Sequence, residues 1–144
     1  MSDTILSVRD LTVAFDTRRG PLTAIDRVSF DIGRGEILGV VGESGAGKSV
    51  TGSAVIGLID RPGRIAGGEI RLRGERIDNL SPEAMRRVRG RRIGMIFQDP
   101  LTSLDPLFRV GDQIVETLRT HTDLSGKAAR TRAVDLLAEV GIPA

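Results

Sequence analysis

Residues 42–49 read GESGAGKS and match the pattern G-x-x-x-x-G-K-[ST] at every position. Its glycines allow the backbone to turn its N–H groups inward and to approach a bound anion closely. An apolar run precedes the stretch and a helical pattern follows it, so the positive end of a helix dipole would face that anion. The stretch therefore predicts a phosphate loop for a nucleoside triphosphate. The predicted phosphate-binding residues are Gly42, Glu43, Ser44, Gly45, Ala46, Gly47, Lys48, Ser49 and Val50.

Two side chains of this loop have predicted chemical roles. Lys48 is a compact cation that can reach the β- and γ-phosphates, which makes it a candidate catalytic residue. Ser49 offers a hard hydroxyl oxygen of the kind that Mg²⁺ prefers. The alternative is a glycine-rich turn without a ligand, and the loop by itself does not identify the nucleotide base.

The chain before and after the loop alternates between strand and helix patterns. Apolar alternation predicts strands at 5–15 and 25–32, and unbroken apolar runs predict strands buried on both faces at 36–42 and 91–97. A helix is predicted from Lys48 to Ile59, although Gly57 lies inside it. Further predicted elements are a hairpin bent at Gly74, a helix capped by Ser81 and running to Arg89, and two amphipathic helices with apolar stripes at 110–118 and 129–140, the second ending at Gly141.

Composition excludes several classes of protein. The chain has 144 residues, 40% of them hydrophobic and 28% charged, which is typical of one soluble globular domain. The early acid in MSDTILSVRD argues against a secretory leader, and the absence of cysteine excludes thiolate metal sites. A net charge of +2 with only 3% aromatic residues gives no reason to expect a nucleic-acid partner.

Two longer stretches carry a family resemblance. AIDRVSFDIGRGEILGVVGESGAGKS, residues 24–49, resembles the start of an ABC-transporter ATPase subunit. GRRIGMIFQDPLTSLDPLFRVGDQIVETL, residues 90–118, is similar to ABC importers of the oligopeptide, dipeptide and nickel type, with Asp105 where asparagine is more usual. The resemblance implies an α/β P-loop NTPase of the ABC ATPase type. Residues 1–97 would hold part of the catalytic core with an antiparallel β-subdomain, and 98–144 the glutamine loop and the start of the α-helical subdomain.

The resemblance also assigns roles to Gln98 and Phe15. Gln98 would be the glutamine of the glutamine loop, whose amide oxygen approaches Mg²⁺ and the attacking water. Asp99 precedes Pro100 and is biased towards a turn; the alternatives are that both are plain turn residues, or that Asp99 is the magnesium ligand of a different P-loop enzyme. Phe15 would stack on adenine, although its alternation with Leu11 and Val13 fits a core residue equally well.

The function implied by the resemblance is ATP binding and hydrolysis that drive the import of peptides. ATP and Mg²⁺ are the implied ligands. The implied partners are a second ATPase subunit in a homo- or heterodimer, a transmembrane permease and, indirectly, an extracytoplasmic binding protein, with the subunit peripheral on the cytoplasmic face of a bacterial inner membrane. The signature sequence and the acid-ended strand of the family do not occur within the 144 residues. We therefore read the chain as truncated, binding Mg-ATP weakly and hydrolysing it negligibly. The alternatives are a kinase- or GTPase-type P-loop protein and a non-catalytic interaction fragment.

Three other features are assigned structural roles. Leu124-Ser125-Gly126 resembles the family signature, but Lys127 follows where a second glycine is needed, and Ser125 is predicted to cap a helix. The cationic cluster MRRVRGRR, residues 85–92, is interpreted as a solvated helix end rather than a surface for nucleic acid or anionic lipid. His121, the single histidine, is expected at the surface.

Overall fold

The computed structural model describes residues 3–98 and 103–142, and the chain divides into two compact units, Met1–Met95 and Ile96–Ala144. The first unit contains β1 (Thr4–Thr17), β2 (Gly20–Gly33), α1 (Lys48–Val55), β3 (Gly63–Leu72), β4 (Glu75–Arg76) and α2 (Pro82–Val88). The second contains α3 (Val110–His121) and α4 (Gly126–Glu139).

The strands of the first unit form one antiparallel sheet in the order β2-β1-β3-β4. The strands predicted at 5–15 and 25–32 are confirmed, and both are longer than predicted because a tight turn, with Thr17 opposite Gly20, joins them directly. Leu11, Val13 and Ile70 are completely buried on the inner face. Such a side chain contributes about 1.5–3 kcal/mol through its removal from water. The core that the sheet shares with α1 and α2 comprises Leu6, Val8, Leu11, Val13, Ile25, Ala54, Val55, Ile70, Leu72, Ile77, Met85 and Val88.

Three neighbouring strands have irregular backbone angles at the same level of the sheet. Asp10 in β1, Arg27 in β2 and Gly68 in β3 have φ angles of 46°, 48° and 88°. The pairing register of β1 shifts at this level with both neighbours, as expected of bulges. A Cβ atom on Gly68 would overlap the carbonyl oxygens of Arg9 and Asp10, so the close approach of β3 to β1 requires glycine here.

The predicted hairpin at Gly74 is confirmed. Leu72 pairs with Glu75, and the two residues between them, Arg73 and Gly74, have φ angles of 51° and 81°. Two consecutive positive φ angles are the geometry of a type I′ turn, whose twist matches that of the strands. The strand β4 is short, and beyond it the Asp78 carboxylate accepts a hydrogen bond of 2.8 Å from the Ile70 amide at the edge of β3.

The helices around the sheet begin as predicted, but the first ends earlier. Ser81 caps α2 by accepting a 3.2 Å hydrogen bond from the Ala84 amide, and this confirms the predicted start. The predicted extent of α1 to Ile59 is wrong, because Gly57 adopts a φ of 65° and ends the helix after Val55.

The two buried strands predicted at 36–42 and 91–97 do not form. The first segment lies outside every strand, and Ile37 and Val41 are 96% and 94% exposed. The second makes only one isolated bridge, between Ile93 and Arg89, and Ile96 is 98% exposed. A buried parallel strand needs neighbours that come from distant parts of the chain. The described residues provide no such neighbour for either segment, so the apolar composition alone leaves both unpaired.

The second unit contains the helices α3 and α4, which contact each other. Ser125 caps α4 through a 3.3 Å hydrogen bond from the Ala128 amide, as predicted, and Ala129 and Ala133 are buried. The Arg130 side chain of α4 binds Asp112 of α3 at 3.1 Å. Gly141 follows α4 with a φ of 81°, which confirms the predicted end of the helix.

Candidate functional site

The loop at 42–49 has the backbone geometry that its glycines predict. Gly45 and Gly47 have φ angles of 83° and 85°, in the left-handed region that side chains other than glycine rarely adopt. Gly47 is also the N-cap of α1. A Cβ atom at Gly47 would come within 3.1 Å of the Ala24 carbonyl oxygen and 3.2 Å of the Ile25 side chain. The loop therefore packs against β2 at a point where only glycine fits.

The Lys48 ammonium is held across the loop. Its Nζ donates hydrogen bonds of 2.7 Å to the carbonyl oxygens of both Gly42 and Glu43. An ammonium has three donors, so one remains for another acceptor. The backbone amides of Lys48 and Ser49 lie in the first turn of α1, where an amide has no acceptor within its own helix. The cation, the free amides and the positive helix end together suit anionic oxygen atoms.

The hydroxyl of Ser49 is exposed and makes no hydrogen bond to any residue that the structure describes. Its neighbour in the helix, Thr51, anchors the start of α1 instead: the Thr51 amide and hydroxyl donate to the Gly47 carbonyl oxygen at 2.8 and 3.0 Å. Ser49 is therefore available as an oxygen ligand beside the anion site. The residues of this one loop and turn fit a nucleoside triphosphate with Mg²⁺.

The residues predicted to complete the site lie elsewhere in the chain. Gln98 is exposed and belongs to the second unit. Asp99 lies outside the described residues, so its interpretation as a turn residue stays a prediction. The role assigned to Gln98 stays a prediction as well.

Phe15 lies near the end of β1, opposite Leu22 of β2 and Gly63 of β3. Its ring is half-buried and packs against the hydrophobic core. A Cβ atom on Gly63 would come within 2.6 Å of both the Phe15 ring and the Ile59 side chain, so the ring lies directly over the backbone of β3. A half-buried ring at a strand end is compatible with both adenine stacking and a core role.

A groove of about 620 Å³ lies on the outer face of the sheet and does not include the phosphate loop. Four arginines line it, and two of them, Arg9 and Arg71, are paired with carboxylates. The hydrogen bond from Arg9 lowers the pKa of the Asp31 carboxyl, with a smaller contribution from Ser7. Arg71 binds Glu69 through two hydrogen bonds of 2.8 and 3.0 Å. The pairing of Arg9 and Arg71 leaves less free positive charge in the groove than the number of arginines suggests.

The cationic cluster at 85–92 is not uniformly solvated, so its interpretation as a solvated helix end is wrong in part. Arg92 pairs with Glu75 at 2.5 Å, and the half-buried Arg89 donates to the carbonyl oxygens of Ile56 and Gly57. Sequence reasoning missed Arg89 because its acceptors lie 33 and 32 residues earlier in the chain. The available signal was Gly57, since a glycine that ends a helix leaves carbonyl groups in need of donors.

Within residues 3–98 and 103–142, no helix is both long enough and apolar enough to cross a membrane.

Comparison with protein families gives a match to the ABC transporter model over residues 25–144. Among curated proteins, the dipeptide transport ATP-binding protein DppD of Haemophilus influenzae is 45% identical over 139 residues. The oligopeptide transport ATP-binding protein OppD of Bacillus subtilis is 50% identical over 140 residues. Both alignments cover 96% of this chain but only 42% and 39% of the relatives. The chain thus spans about two fifths of the length of these curated relatives.

Solved structures share the fold. An ATP-binding cassette, MJ0796, in a dimeric post-hydrolysis state bound to ADP and Pi aligns with a TM-score of 0.81 at 23% identity. The alignment covers 93% of this chain and 56% of that cassette. The predicted fold class, an ABC-type P-loop NTPase with an antiparallel β-subdomain, is confirmed. By the match of the family model to most of its length, the chain belongs to the ABC transporter family.

Proposed function

We propose that this chain is the nucleotide-binding part of the ATPase subunit of an ABC importer for peptides, and that it binds Mg-ATP. The observation that carries the proposal is the geometry of the loop at 42–49, where the Lys48 ammonium is held across the loop and the amides of the first helical turn have no acceptor in their own helix. Curated relatives named as dipeptide and oligopeptide transport ATP-binding proteins support the choice of substrate.

The proposed roles follow the chemistry of the side chains. Lys48 binds the β- and γ-phosphates, and Gly42–Val50 surround the phosphate chain with backbone amides. Ser49 and Gln98 provide oxygen atoms for Mg²⁺, which when bound supplies positive charge beside the phosphates. Residues 1–97 form the first part of the catalytic core, and residues 98–144 form the glutamine loop and the start of the helical subdomain.

The 144 residues alone are proposed to hydrolyse ATP negligibly. Phosphoryl transfer depends on charge positioned all around the γ-phosphate and on an oriented attacking water. Lys48, Ser49 and Gln98 supply only part of that charge. A steady ATPase rate that disappears in Lys48→Ala would contradict this part of the proposal.

The proposed partners are a second ATPase subunit and a transmembrane permease, which place the subunit at the cytoplasmic face of the membrane. The solved cassette is dimeric, and the importer names of the relatives support a permease partner. An extracytoplasmic binding protein would act through the permease.

The chain offers a matched test of nucleotide binding, because it contains two lysines, Lys48 and Lys127. Titration with ATP should give saturable, Mg²⁺-dependent binding that Lys48→Ala weakens about 10- to 100-fold, as expected for the loss of charged hydrogen bonds worth about 1.5–3 kcal/mol. Lys127→Ala, at the exposed start of α4, should bind like the wild type.

Two further ligands in the same titration, GTP and inorganic tripolyphosphate, distinguish the alternatives for the protein class and for Phe15. Tighter binding of GTP than of ATP would favour a GTPase-type protein and overturn the proposal. If Phe15 stacks on adenine, Phe15→Leu should weaken the binding of ATP but not of inorganic tripolyphosphate. Equal loss for both ligands would assign Phe15 to the core.

A further inference from the structure

The helix α1 ends in a motif that leaves carbonyl groups to be satisfied from outside. Gly57 is left-handed, its amide donates to the Ala54 carbonyl oxygen at 3.0 Å, and the Leu58 amide donates to that of Ser53 at 2.8 Å. These two bonds define a Schellman motif, which satisfies carbonyls of the last turn. The carbonyl groups of Ile56 and Gly57 follow that turn and need other donors.

Both of these carbonyl groups are bound by the side chain of Arg89. Its Nε donates to the Ile56 oxygen at 2.7 Å, and its Nη2 donates to the Gly57 oxygen at 2.6 Å. A planar guanidinium can make two such bonds at once in a fixed orientation, whereas an ammonium cannot. Its positive charge also lies at the negative end of the α1 dipole, where a cation is stabilising.

Arg89 is itself held in place by its surroundings. It is the C-cap of α2, its amide donates to the Met85 carbonyl oxygen at 3.0 Å, and Met85 and Val88 are each 4% exposed. Arg89 also packs closely against the end of α1, since a Cβ atom on Gly57 would lie 3.1 Å from the Arg89 Nη2. The guanidinium therefore ties the end of α1 to a fixed point in the core of the first unit.

The other end of α1 carries the phosphate-binding groups. The helix has eight residues and so is about 12 Å long, with Lys48 and Ser49 in its first turn. Backbone hydrogen bonds connect the two ends of this short helix, so the position of Ile56 constrains the position of the amides at its start. We propose that Arg89 is a positioning residue for the phosphate loop, acting through α1. This inference rests on the proposed binding of ATP.

Arg86 provides a matched control. It lies on α2, is exposed, and makes no hydrogen bond or ion pair to the described residues. Replacing it removes the same charge from the same helix without touching α1. The contrast between Arg86 and Arg89 therefore isolates the bonds to Ile56 and Gly57.

The test compares trinitrophenyl-ATP with trinitrophenyl-AMP, because the ratio of their affinities reports contacts to the β- and γ-phosphates. Arg89→Met should reduce this ratio about tenfold, the effect expected when charged hydrogen bonds that fix the loop are lost. Arg89→Lys keeps the positive charge at the end of α1 but cannot make both hydrogen bonds in a fixed orientation. The ratio should therefore fall less in this variant than in Arg89→Met. Arg86→Met should keep the wild-type ratio.

The outcomes are distinguishable. A variant that is only less stable binds both ligands more weakly by the same factor, so an unchanged ratio in Arg89→Met would overturn the positioning role. If Arg89→Met does not fold, Arg89→Lys decides: a reduced ratio supports the role and a wild-type ratio overturns it. If Lys48→Ala has the wild-type ratio, the proposed function fails, and the inference about Arg89 fails with it.

Discussion

The antiparallel sheet and the two apolar segments at 36–42 and 91–97 are similar in composition but opposite in structure. Strands β1 and β2 are adjacent in sequence, pair through a tight turn and bury Leu11 and Val13 completely. The segments before the phosphate loop and before Gln98 remain unpaired, with Ile37 and Ile96 almost fully exposed. Apolar residues stabilise a strand only where partners cover its edges and faces, and among the described residues only the strands of the sheet have such partners.

The first prediction tests this contrast with one substitution made in each region. Ile70→Ala, in β3, should lower the free energy of unfolding by about 2–5 kcal/mol, because a fully buried isoleucine leaves a cavity. Ile37→Ala, at a side chain that is 96% exposed, should change it by less than about 0.5 kcal/mol. Urea denaturation of both variants measures the difference. Equal losses would mean that the segment at 36–42 is packed in solution, and the comparison would no longer hold.

The second prediction concerns the bend of the sheet, where β3 approaches β1 most closely. Gly68→Ala should lower the free energy of unfolding by about 2–4 kcal/mol, because a positive φ is unfavourable for alanine and the new Cβ overlaps the Arg9 carbonyl oxygen. Gly74→Ala is the matched control, since its φ of 81° is similar but no atom lies within 4 Å of the new Cβ.

Gly74→Ala should therefore lower the free energy of unfolding only through the unfavourable positive φ, by about 1–2 kcal/mol. Thermal melts of the two variants would show which cost is greater. A Gly74 variant as unstable as the Gly68 variant would mean that backbone strain alone matters, and that the close approach of β3 to β1 has no further energetic effect.

Sequence patterns predicted the parts of the fold that depend on neighbours in the chain. The alternation in β1 and β2, the cap at Ser81, the hairpin at Gly74 and the end of α4 at Gly141 are all local signals. The phosphate loop belongs to the same class, because its glycines, its lysine and the following helix are contiguous. The end of α1 was missed because the glycine signal at Gly57 was given less weight than helix periodicity.

The parts that could not be predicted depend on contacts between distant residues. Whether 36–42 pairs as a strand depends on partners that its own composition does not reveal. The bonds from Arg89 to Ile56 and Gly57 join positions more than 30 residues apart, and a run of arginines gives no sign of which one is half-buried. The hydrogen bond from the Ile70 amide to Asp78, at the edge of β3 beyond the short strand β4, joins residues only eight positions apart, but no pattern in the sequence indicates it.

The third prediction concerns the hydrogen bond of Asp78 at the edge of β3, and it uses the dependence of stability on pH. Burial of the Asp78 carboxylate opposes its ionisation, but the hydrogen bonds from Arg76 and from the Ile70 amide outweigh burial, so its pKa lies below the ordinary value. A carboxyl whose pKa is lower in the folded state stabilises that state above its unfolded pKa of about 3.9. This stability should be lost as the pH falls through the folded pKa of Asp78.

Asp78→Asn keeps an oxygen for the Ile70 amide but removes the charge that binds Arg76. We expect the variant to be about 1–2 kcal/mol less stable at pH 7, at the lower end for charged hydrogen bonds because the Arg76 side chain is 41% exposed. The difference should shrink as the pH is lowered below about 4, since the wild-type carboxyl is then protonated as well. Urea denaturation from pH 7 to pH 3 measures both effects, with Asp123→Asn as the exposed control in the loop before α4. If the difference between Asp78→Asn and the wild type stays constant over this range, the charge of Asp78 does not stabilise the edge of β3, and its neutral hydrogen bond to Ile70 is sufficient.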